Sequence, residues 1–277
     1  MEPREGSWTA DARHASAWHG LRVAAAGLSY AVFGVGTVFL MLTAFPALWV
    51  VQRAPARRGR CLRRVFSCGC RFFIRFMRAL GLLDWEVSGR EHLTGRGRLV
   101  VANHPSLIDA VFLLAWVPDA VCILKEDLRH NPFLAWAVTA AGYVGNADPA
   151  RLLQDCVAAL QRGDNLIVFP EGTRSVPGQP RRFRRGAARV ALGSGVPVIS
   201  VRIVCDPAVL TKGTPWYRVP ARRAHYRFDI GAARGPFKLP PGETLAHAAR
   251  RVTAELERLL LVDERRRPFP VPRMKIP

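Results

Sequence analysis

The chain has 277 residues, of which 49% are hydrophobic, and it carries 41 Lys and Arg against 21 Asp and Glu, a formal net charge of +20. This length and apolar content suffice for one sizeable domain with an appendage. They exclude the class of proteins that are too small or too polar to bury a hydrophobic core. The excess of positive charge predicts a polyanionic partner, either a nucleic acid or an anionic membrane surface.

An uncharged run of 29 residues, 23–51, predicts a membrane-anchoring helical segment after an N-terminal tail at 1–22. The run is longer than the roughly 20 residues that cross a bilayer core. Arginines are concentrated on its downstream side, which predicts that the rest of the chain lies in the cytoplasm. Because Gly34, Gly36 and Pro46 interrupt the run, a single span and a re-entrant or interfacial hairpin both remain open, with a buried soluble helix as a third alternative.

The segment 52–84 combines arginines with aromatic residues. Nine arginines and no acidic residue fall between positions 53 and 78. The apolar residues that interleave with them are Phe66, Phe72, Phe73, Ile74, Phe76 and Met77. This pattern is typical of an amphipathic helix lying on anionic headgroups, and a solvated linker is the alternative.

Short apolar runs that alternate with helical patterns predict an α/β domain over residues 85–262. Strands are predicted at 99–102, 120–124, 165–169 and 196–204, with an edge strand at 225–230. Helices are predicted at 106–116, from Asn131, from Asp148 to about Leu160, at 184–193, and at 245–259. This order of elements predicts a mostly parallel sheet flanked by helices, followed by a basic, proline-rich tail at 263–277.

The run Asn103-His104-Pro105-Ser106-Leu107-Ile108-Asp109 follows the predicted strand 99–102. Histidine is the side chain best suited to take up a proton near neutral pH, and a carboxylate is the usual group that orients it. We therefore expect His104 to act as a general base and Asp109 to fix its tautomer. Asn103 and the backbone N–H groups of the following helix are expected to stabilise an oxyanion.

A second polar run, Phe169-Pro170-Glu171-Gly172-Thr173-Arg174-Ser175, follows the predicted strand 165–169. Together the two runs resemble the glycerolipid acyltransferase family, whose first motif is His-x4-Asp and whose third is Phe-Pro-Glu-Gly-Thr-Arg-Ser. Further runs resemble other family motifs: Lys125-Glu126-Asp127-Leu128, Phe183-Arg184-Arg185-Gly186-Ala187 and Val196-Pro197-Val198-Ile199. The resemblance covers residues 85–231.

This resemblance implies that His104 is the catalytic base and that Asp109 is its partner. It places Glu171, Gly172, Thr173 and Arg174 in the motif that binds the acceptor, and Lys125 in a further substrate-binding motif. The implied donor is a thioester of coenzyme A or of acyl carrier protein, with no metal or redox cofactor. Both donors are anionic, so Arg184 and Arg185 are candidates for binding them, and a solvated basic loop is the alternative.

The implied reaction moves an acyl group to a hydroxyl of a lysolipid, most often 1-acylglycerol-3-phosphate, in phospholipid biosynthesis. We expect the protein on a bacterial-type inner membrane, with the catalytic domain on the cytoplasmic side and in contact with anionic lipids. No helix-turn-helix or zinc-finger pattern is present, so no nucleic-acid partner is expected. The six cysteines lack paired Cys-x2-Cys spacing, which predicts unpaired thiols and no zinc site.

One position departs from the family pattern. The second family motif ends in an arginine that holds the acceptor phosphate, and Asp148 stands at the corresponding position here. An acidic residue repels phosphate, so an acceptor without phosphate, such as an ornithine lipid or a specialised lipid or pigment head group, remains an alternative. The alternatives from other classes are a lipid hydrolase and a non-enzymatic basic protein that binds membranes or nucleic acids.

Overall fold

The computed structural model describes residues 6–124, 141–145, 148–176 and 178–261, with the side chains of 6–17 and 149–150 outside this description. The first helices are α1 (Gly6–Leu42), α2 (Ala44–Val51) and α3 (Pro55–Ala79). The strands are β1 (Leu83–Ser88), β2 (Leu99–Ala102), β3 (Ala120–Leu124), β4 (Val144–Gly145), β5 (Asn165–Val168), β6 (Val198–Asp206) and β7 (Ala224–Ile230). A 3-10 helix spans Arg90–Leu93, and the later helices are α4 (Asp109–Trp116), α5 (Pro149–Gln161), α6 (Gly186–Ser194) and α7 (Leu245–Leu261). Lys125, the helix expected from Asn131 and the tail 263–277 lie outside the described residues.

The strands form one sheet in the order β1-β7-β6-β2-β5-β3-β4. All neighbouring pairs are parallel except β6 and β7, which confirms the predicted mostly parallel sheet. Every residue of β2 and β5 is buried, as expected for central strands covered on both faces. Because β2 and β5 are parallel, the polar motifs that follow them meet at the same edge of the sheet.

The sheet contains two strands that the sequence pattern did not predict, β1 and β4, one at each edge. Residues 225–230 were expected at an edge, but β7 lies between β1 and β6, so that prediction is wrong. The edge strand next to β7 is β1, which crosses the expected segment boundary at 84/85. Its sequence alternates Leu83, Trp85 and Val87 with polar residues, which is the pattern of a half-buried edge strand.

Helix α3 is amphipathic as predicted, but most of its apolar face covers the sheet. Phe73, Ile74 and Met77 are buried in the same core cluster as residues of β1, β2 and α4. Arg71 also donates a hydrogen bond from its side chain to the carbonyl oxygen of Ala115 at the end of α4. The prediction that this apolar face lies on a membrane is therefore wrong for these residues, whereas Phe72 remains 58% exposed.

Helices α1 and α2 run along α3 on the outside of the domain. The ring of Phe33 packs 4.7 Å from that of Phe73, and further along Phe45 of α2 is buried with Leu62 near the start of α3. At the other end, Arg22 donates hydrogen bonds to the carbonyl oxygens of Gly81 and Pro220. The helices therefore contact the domain from one edge of the sheet to the other.

The opposite face of α1 is apolar and exposed. Leu21, Leu28, Val35 and Leu42 recur every seven residues and are 51% to 74% exposed. By length and composition the stretch Trp18–Val51 is able to cross a membrane. The helical path is interrupted at Thr43, where the missing N–H of Pro46 removes a hydrogen bond to the preceding turn.

Candidate active site

Asn103, the first residue after β2, is fully buried and joins two strands. Its side-chain amide donates to the carbonyl oxygen of Ile203 at 2.7 Å, and its side-chain oxygen accepts from the N–H of Ile203 at 2.7 Å. The side chain thus extends the pairing of β2 with β6 beyond the last ladder bond. Both of its polar atoms bind the backbone of Ile203, which gives Asn103 a structural role, and its stabilisation of an oxyanion stays a prediction.

His104 and Asp109 form the predicted pair. Nδ1 of His104 lies 3.1 Å from Oδ2 of Asp109. The carboxylate only accepts hydrogen bonds when ionised, so Nδ1 carries the proton and Nε2 is the basic nitrogen. The imidazole is 14% exposed and the Asp109 side chain is fully buried. The histidine therefore reaches the surface while the group that orients it lies beneath.

The segment between these two residues is a turn instead of the predicted first turn of a helix. Oδ2 of Asp109 accepts a hydrogen bond from the N–H of Ser106 at 2.6 Å, and α4 begins only at Asp109. The hydroxyl of Ser106 lies 2.8 Å from the phenol oxygen of the buried Tyr226. Ser106 is therefore part of the scaffold, and Tyr226 is a supporting residue that the sequence motifs did not indicate.

Burial raises the pKa of Asp109 to about 6, and the hydrogen bond to His104 offsets only part of this rise. Its second oxygen, Oδ1, is buried and has no hydrogen-bond partner among the residues that the structure describes. A carboxylate in water is stabilised by water and other hydrogen-bond donors. The buried carboxylate of Asp109 lacks this solvation, so its ionised form depends on His104 and on the N–H of Ser106.

Glu171 connects the two motifs. Its Oε1 accepts a hydrogen bond from the backbone N–H of His104 at 2.9 Å, and its Oε2 accepts one from the hydroxyl of Ser175 at 2.7 Å. The backbone N–H of Ser175 in turn donates to the carbonyl oxygen of His104 at 2.8 Å. The ring of Phe169 stacks on the imidazole with centroids 4.1 Å apart. Both oxygens of Glu171 thus hold the protein's own backbone and side chains in place, and its predicted contact with substrate stays a prediction.

The rest of the second motif forms the rim of the site. Gly172 has φ +68, and a Cβ there would lie 3.1 Å from Nε of Arg184. Thr173 and Arg185 are exposed. Arg174 donates from one terminal nitrogen to the carbonyl oxygens of Leu210 and Thr211, which fixes the loop after β6. The structure therefore brings Arg184 close to Gly172, as expected for a cationic rim.

The second family motif lies partly outside the described residues. Asp148 is exposed directly before α5. Arg151, one turn further on, is 79% exposed, and its Nε lies 3.9 Å from a carboxylate oxygen of Asp155 along the same helix. All six cysteines are free thiols, as predicted. Within the described ranges, no group of three His, Cys, Asp or Glu side chains is placed to hold a metal ion.

The chain is similar to known proteins over the region that holds this site. A sequence profile of the family described as Acyltransferase matches residues 84–204. The 1-acyl-sn-glycerol-3-phosphate acyltransferase of Pseudomonas aeruginosa is 28% identical over 215 residues, which cover 74% of this chain and 80% of that protein. The protein of the same name from Saccharomyces cerevisiae is 31% identical over 161 residues, which cover 54% of this chain and about half, 51%, of that relative.

A solved structure shares the fold. The crystal structure of the 1-acyl-sn-glycerophosphate (LPA) acyltransferase, PlsC, from Thermotoga maritima superposes with a TM-score of 0.63 at 24% identity, covering 88% of this chain and 97% of that chain. This match establishes the shared fold, in which the histidine–aspartate pair lies at the carboxyl ends of parallel strands. Residues 84–204 match the Acyltransferase family, and the relatives of the chain are named 1-acyl-sn-glycerol-3-phosphate acyltransferases, so these similarities support an acyltransferase enzyme.

Proposed function

We propose that this protein transfers an acyl group from a thioester donor, acyl-CoA or acyl-acyl carrier protein, to the free hydroxyl of 1-acylglycerol-3-phosphate. The observation that carries this proposal is the 3.1 Å contact between Nδ1 of His104 and Oδ2 of Asp109. It leaves Nε2 of a partly exposed imidazole as the base. The relatives from Pseudomonas aeruginosa and Saccharomyces cerevisiae are named for acylation of 1-acyl-sn-glycerol-3-phosphate, which supports this acceptor and a place in phospholipid biosynthesis.

In the proposed reaction, Nε2 of His104 takes the proton of the acceptor hydroxyl as the oxygen attacks the thioester carbonyl carbon. A new C–O bond forms and the C–S bond breaks. The departing thiolate then takes the proton back from the imidazolium, which Asp109 stabilises in between. Ser106 does not serve as a nucleophile, because its hydroxyl is buried against Tyr226.

A small apolar cavity of about 40 Å³ lies beside the first motif, and an acyl chain would enter it only if the side chains that line it moved apart. The residues that line it include Tyr30, Met77, Ile108, Leu210, Trp216 and Tyr226. Ile108 belongs to the His104–Asp109 turn, and the carbonyl oxygen of Leu210 accepts a hydrogen bond from Leu107 in the same turn. The cavity therefore adjoins the turn that carries His104 and Asp109, and it marks an apolar region next to the proposed site of reaction.

Arginines at the rim suit the anionic parts of the substrates. Arg184 beside Gly172 and the remaining donors of Arg174 are placed to bind a phosphate. The exposed Asp148 favours a second candidate, an acceptor whose head group carries no phosphate, because an acid at this position repels phosphate. The two candidates differ in the acceptor alone and share the same base.

We also propose that α1 lies in the membrane surface instead of crossing it. A helix that crosses a bilayer loses contact with a domain on one side of it. In contrast, α1 contacts the domain from Arg22 to Leu40, a length of about 27 Å at 1.5 Å per residue. Its exposed leucines and valines then face the lipid chains. This arrangement supports the hairpin alternative over a single span, with the catalytic domain on the cytoplasmic side of a bacterial-type inner membrane.

The experiment that tests the function uses the full chain in detergent, with labelled acyl-CoA and acyl-acyl carrier protein as donors. A panel of lysolipids is offered as acceptors, and products are identified by mass spectrometry. We expect acylated 1-acylglycerol-3-phosphate that disappears in His104→Ala. Free fatty acid without an acylated lipid identifies a hydrolase, and salt-sensitive nucleic-acid binding without acyl transfer identifies a basic binding protein.

A further inference from the structure

A second cavity lies at the amino ends of the central strands, whereas His104 lies at their carboxyl ends. Its volume is about 670 Å³, and it is lined by Trp49, Arg58, Arg60, Arg63, Arg162 and Asp164, with small residues of α3 and Gly142. Asp164 directly precedes β5, whereas Glu171 follows it. The four residues of β5, about 13 Å at 3.3 Å per residue, thus separate this cavity from the edge that holds the catalytic pair.

One wall of this cavity is fixed by internal pairing. The buried Arg63 donates to Oδ1 of Asp164 at 2.7 Å and to the carbonyl oxygen of Ala141 at 2.8 Å. Nε of Arg162 lies 3.5 Å from the other carboxylate oxygen of Asp164. The single acid of the lining is therefore already neutralised, and the cavity keeps a surplus of positive charge.

The other wall offers cations that no acid neutralises. In the part of the chain that the structure describes, Arg58 and Arg60 form no ion pair with a carboxylate. Both are half-buried, and the guanidinium of Arg58 stacks 3.5 Å from the ring centroid of Trp49. Stacking limits the orientations of the planar cation, and the N–H groups at its edge can still donate hydrogen bonds to a ligand.

The cavity opens where the apolar helices end. Trp49, Val50 and Val51 at the end of α2 are 45%, 76% and 73% exposed, and the arginines begin directly after them. This order along the chain is the order of a membrane surface, with lipid chains beside α2 and phosphates beside the start of α3.

We propose that this cavity binds the phosphate-bearing headgroup of an anionic phospholipid, with Arg58, Arg60 and Arg162 on the phosphate and the acyl chains against α2. Such a lipid fixes the far end of α1 and α2 on the membrane while the active-site edge remains open. The site does not depend on the proposed acyl transfer, because none of its residues belongs to the catalytic edge.

The test compares two double variants of the full chain that lose equal charge. Arg58→Gln with Arg60→Gln removes the cations of the cavity. Arg53→Gln with Arg57→Gln removes two exposed arginines of the same region that do not line it. Native mass spectrometry in detergent measures retention of phosphatidylglycerol and phosphatidylcholine. We expect wild type and the control to prefer phosphatidylglycerol, and the cavity variant to bind it about tenfold more weakly.

Equal losses in both variants would indicate diffuse surface attraction and overturn the proposal, as would equal binding of both lipids by wild type. Inorganic phosphate and glycerol 3-phosphate are added as competitors. Displacement of the lipid by either at low concentration would show that a free phosphate is the ligand.

If the double variant fails to fold, Arg162→Gln gives the same comparison, because this side chain is 60% exposed. Acyl transfer to a detergent-dissolved lysolipid is measured in parallel, and an inactive wild type that still prefers phosphatidylglycerol refutes the proposed function alone.

Discussion

The carboxylate of Glu171 accepts the backbone N–H of His104 at 2.9 Å, across 67 positions of the chain. The bond is possible because β2 and β5 are parallel neighbours whose carboxyl ends lie side by side. A motif that resembles an acceptor-binding sequence therefore holds the proposed general base in place. The catalytic loop and the rim of the site form one hydrogen-bonded unit.

Replacing His104 by alanine should lower kcat/KM by about 10²- to 10⁴-fold, because the general base is lost. Thermal stability should fall modestly without loss of the fold, since the ring is only 14% exposed and its removal leaves the buried Asp109 without this partner. His92→Ala is the matched control, because His92 lies on the 3-10 helix away from the site. Turnover near the wild-type level in His104→Ala would rule out the general-base role.

Glu171→Gln and Glu171→Ala should separate positioning from charge. Glutamine keeps an oxygen that accepts the N–H of His104, so we expect activity within about tenfold of wild type. Alanine removes both hydrogen bonds of the carboxylate, and we expect a loss of about 100-fold or more. Steady-state kinetics of both variants decides this, with Ser175→Ala showing the contribution of the second bond. Equal loss in Gln and Ala would mean that the negative charge itself is required.

Asp109→Asn should become relatively more stable than wild type as the pH rises. The folded-state pKa of Asp109 is raised to about 6 by burial, above the ordinary value of about 4. The folded protein thus binds the proton more tightly, and the stability that this provides is complete below pH of about 4 and lost by pH of about 6. Urea unfolding between these values measures it, with activity reduced at every pH. A stability difference that does not change with pH would contradict the raised pKa.

Gly172→Ala should destabilise the protein by about 1 kcal/mol from the positive φ alone. It should also weaken acceptor binding, since the new Cβ displaces Arg184. Gly178→Ala is the control, because Gly178 has φ +77 and nothing within 4 Å of the added Cβ. A higher KM for the acceptor in Gly172→Ala alone would support the role of Arg184 at the rim. Equal KM values in the two variants would contradict that role.

Asp148→Arg should raise kcat/KM for 1-acylglycerol-3-phosphate relative to a lysolipid without phosphate, because an arginine at this position attracts the phosphate. Asp155→Arg, about two turns further along the chain in α5, changes the charge equally and serves as the control. An acceptor profile that stays the same in Asp148→Arg would show that phosphate is held elsewhere or does not belong to the substrate.

Much of the sheet could be predicted because its central strands are short, uninterrupted apolar runs. The bounds of β2 and β3 match the predicted 99–102 and 120–124. The edge strand β1 was missed because its alternation begins at Leu83, directly after an arginine-rich helix that suggested a membrane surface. The burial of Phe73 and Ile74 depends on what packs above α3, and no local pattern distinguishes a sheet from a lipid surface.

The histidine–aspartate pair could be predicted because five positions bring the two residues to one turn. The role of Asn103 could not, since its partner Ile203 lies 100 positions away and the contact uses the partner's backbone, which carries no residue-specific signal. Tyr226, 120 positions from Ser106, was missed for the same reason. Residue types indicated the chemistry, whereas the supporting contacts depend on the topology of the sheet.

The course of α1 along the domain has a kinetic consequence. An enzyme attached by an exposed apolar face along this helix meets its lipid acceptor by diffusion in two dimensions, while a water-soluble donor arrives from the third. Its rate should then follow the mole fraction of lysolipid in the bilayer, and adding inert lipid at constant bulk concentration should slow it. The lipid composition of the bilayer would therefore regulate such an enzyme without any change in the protein.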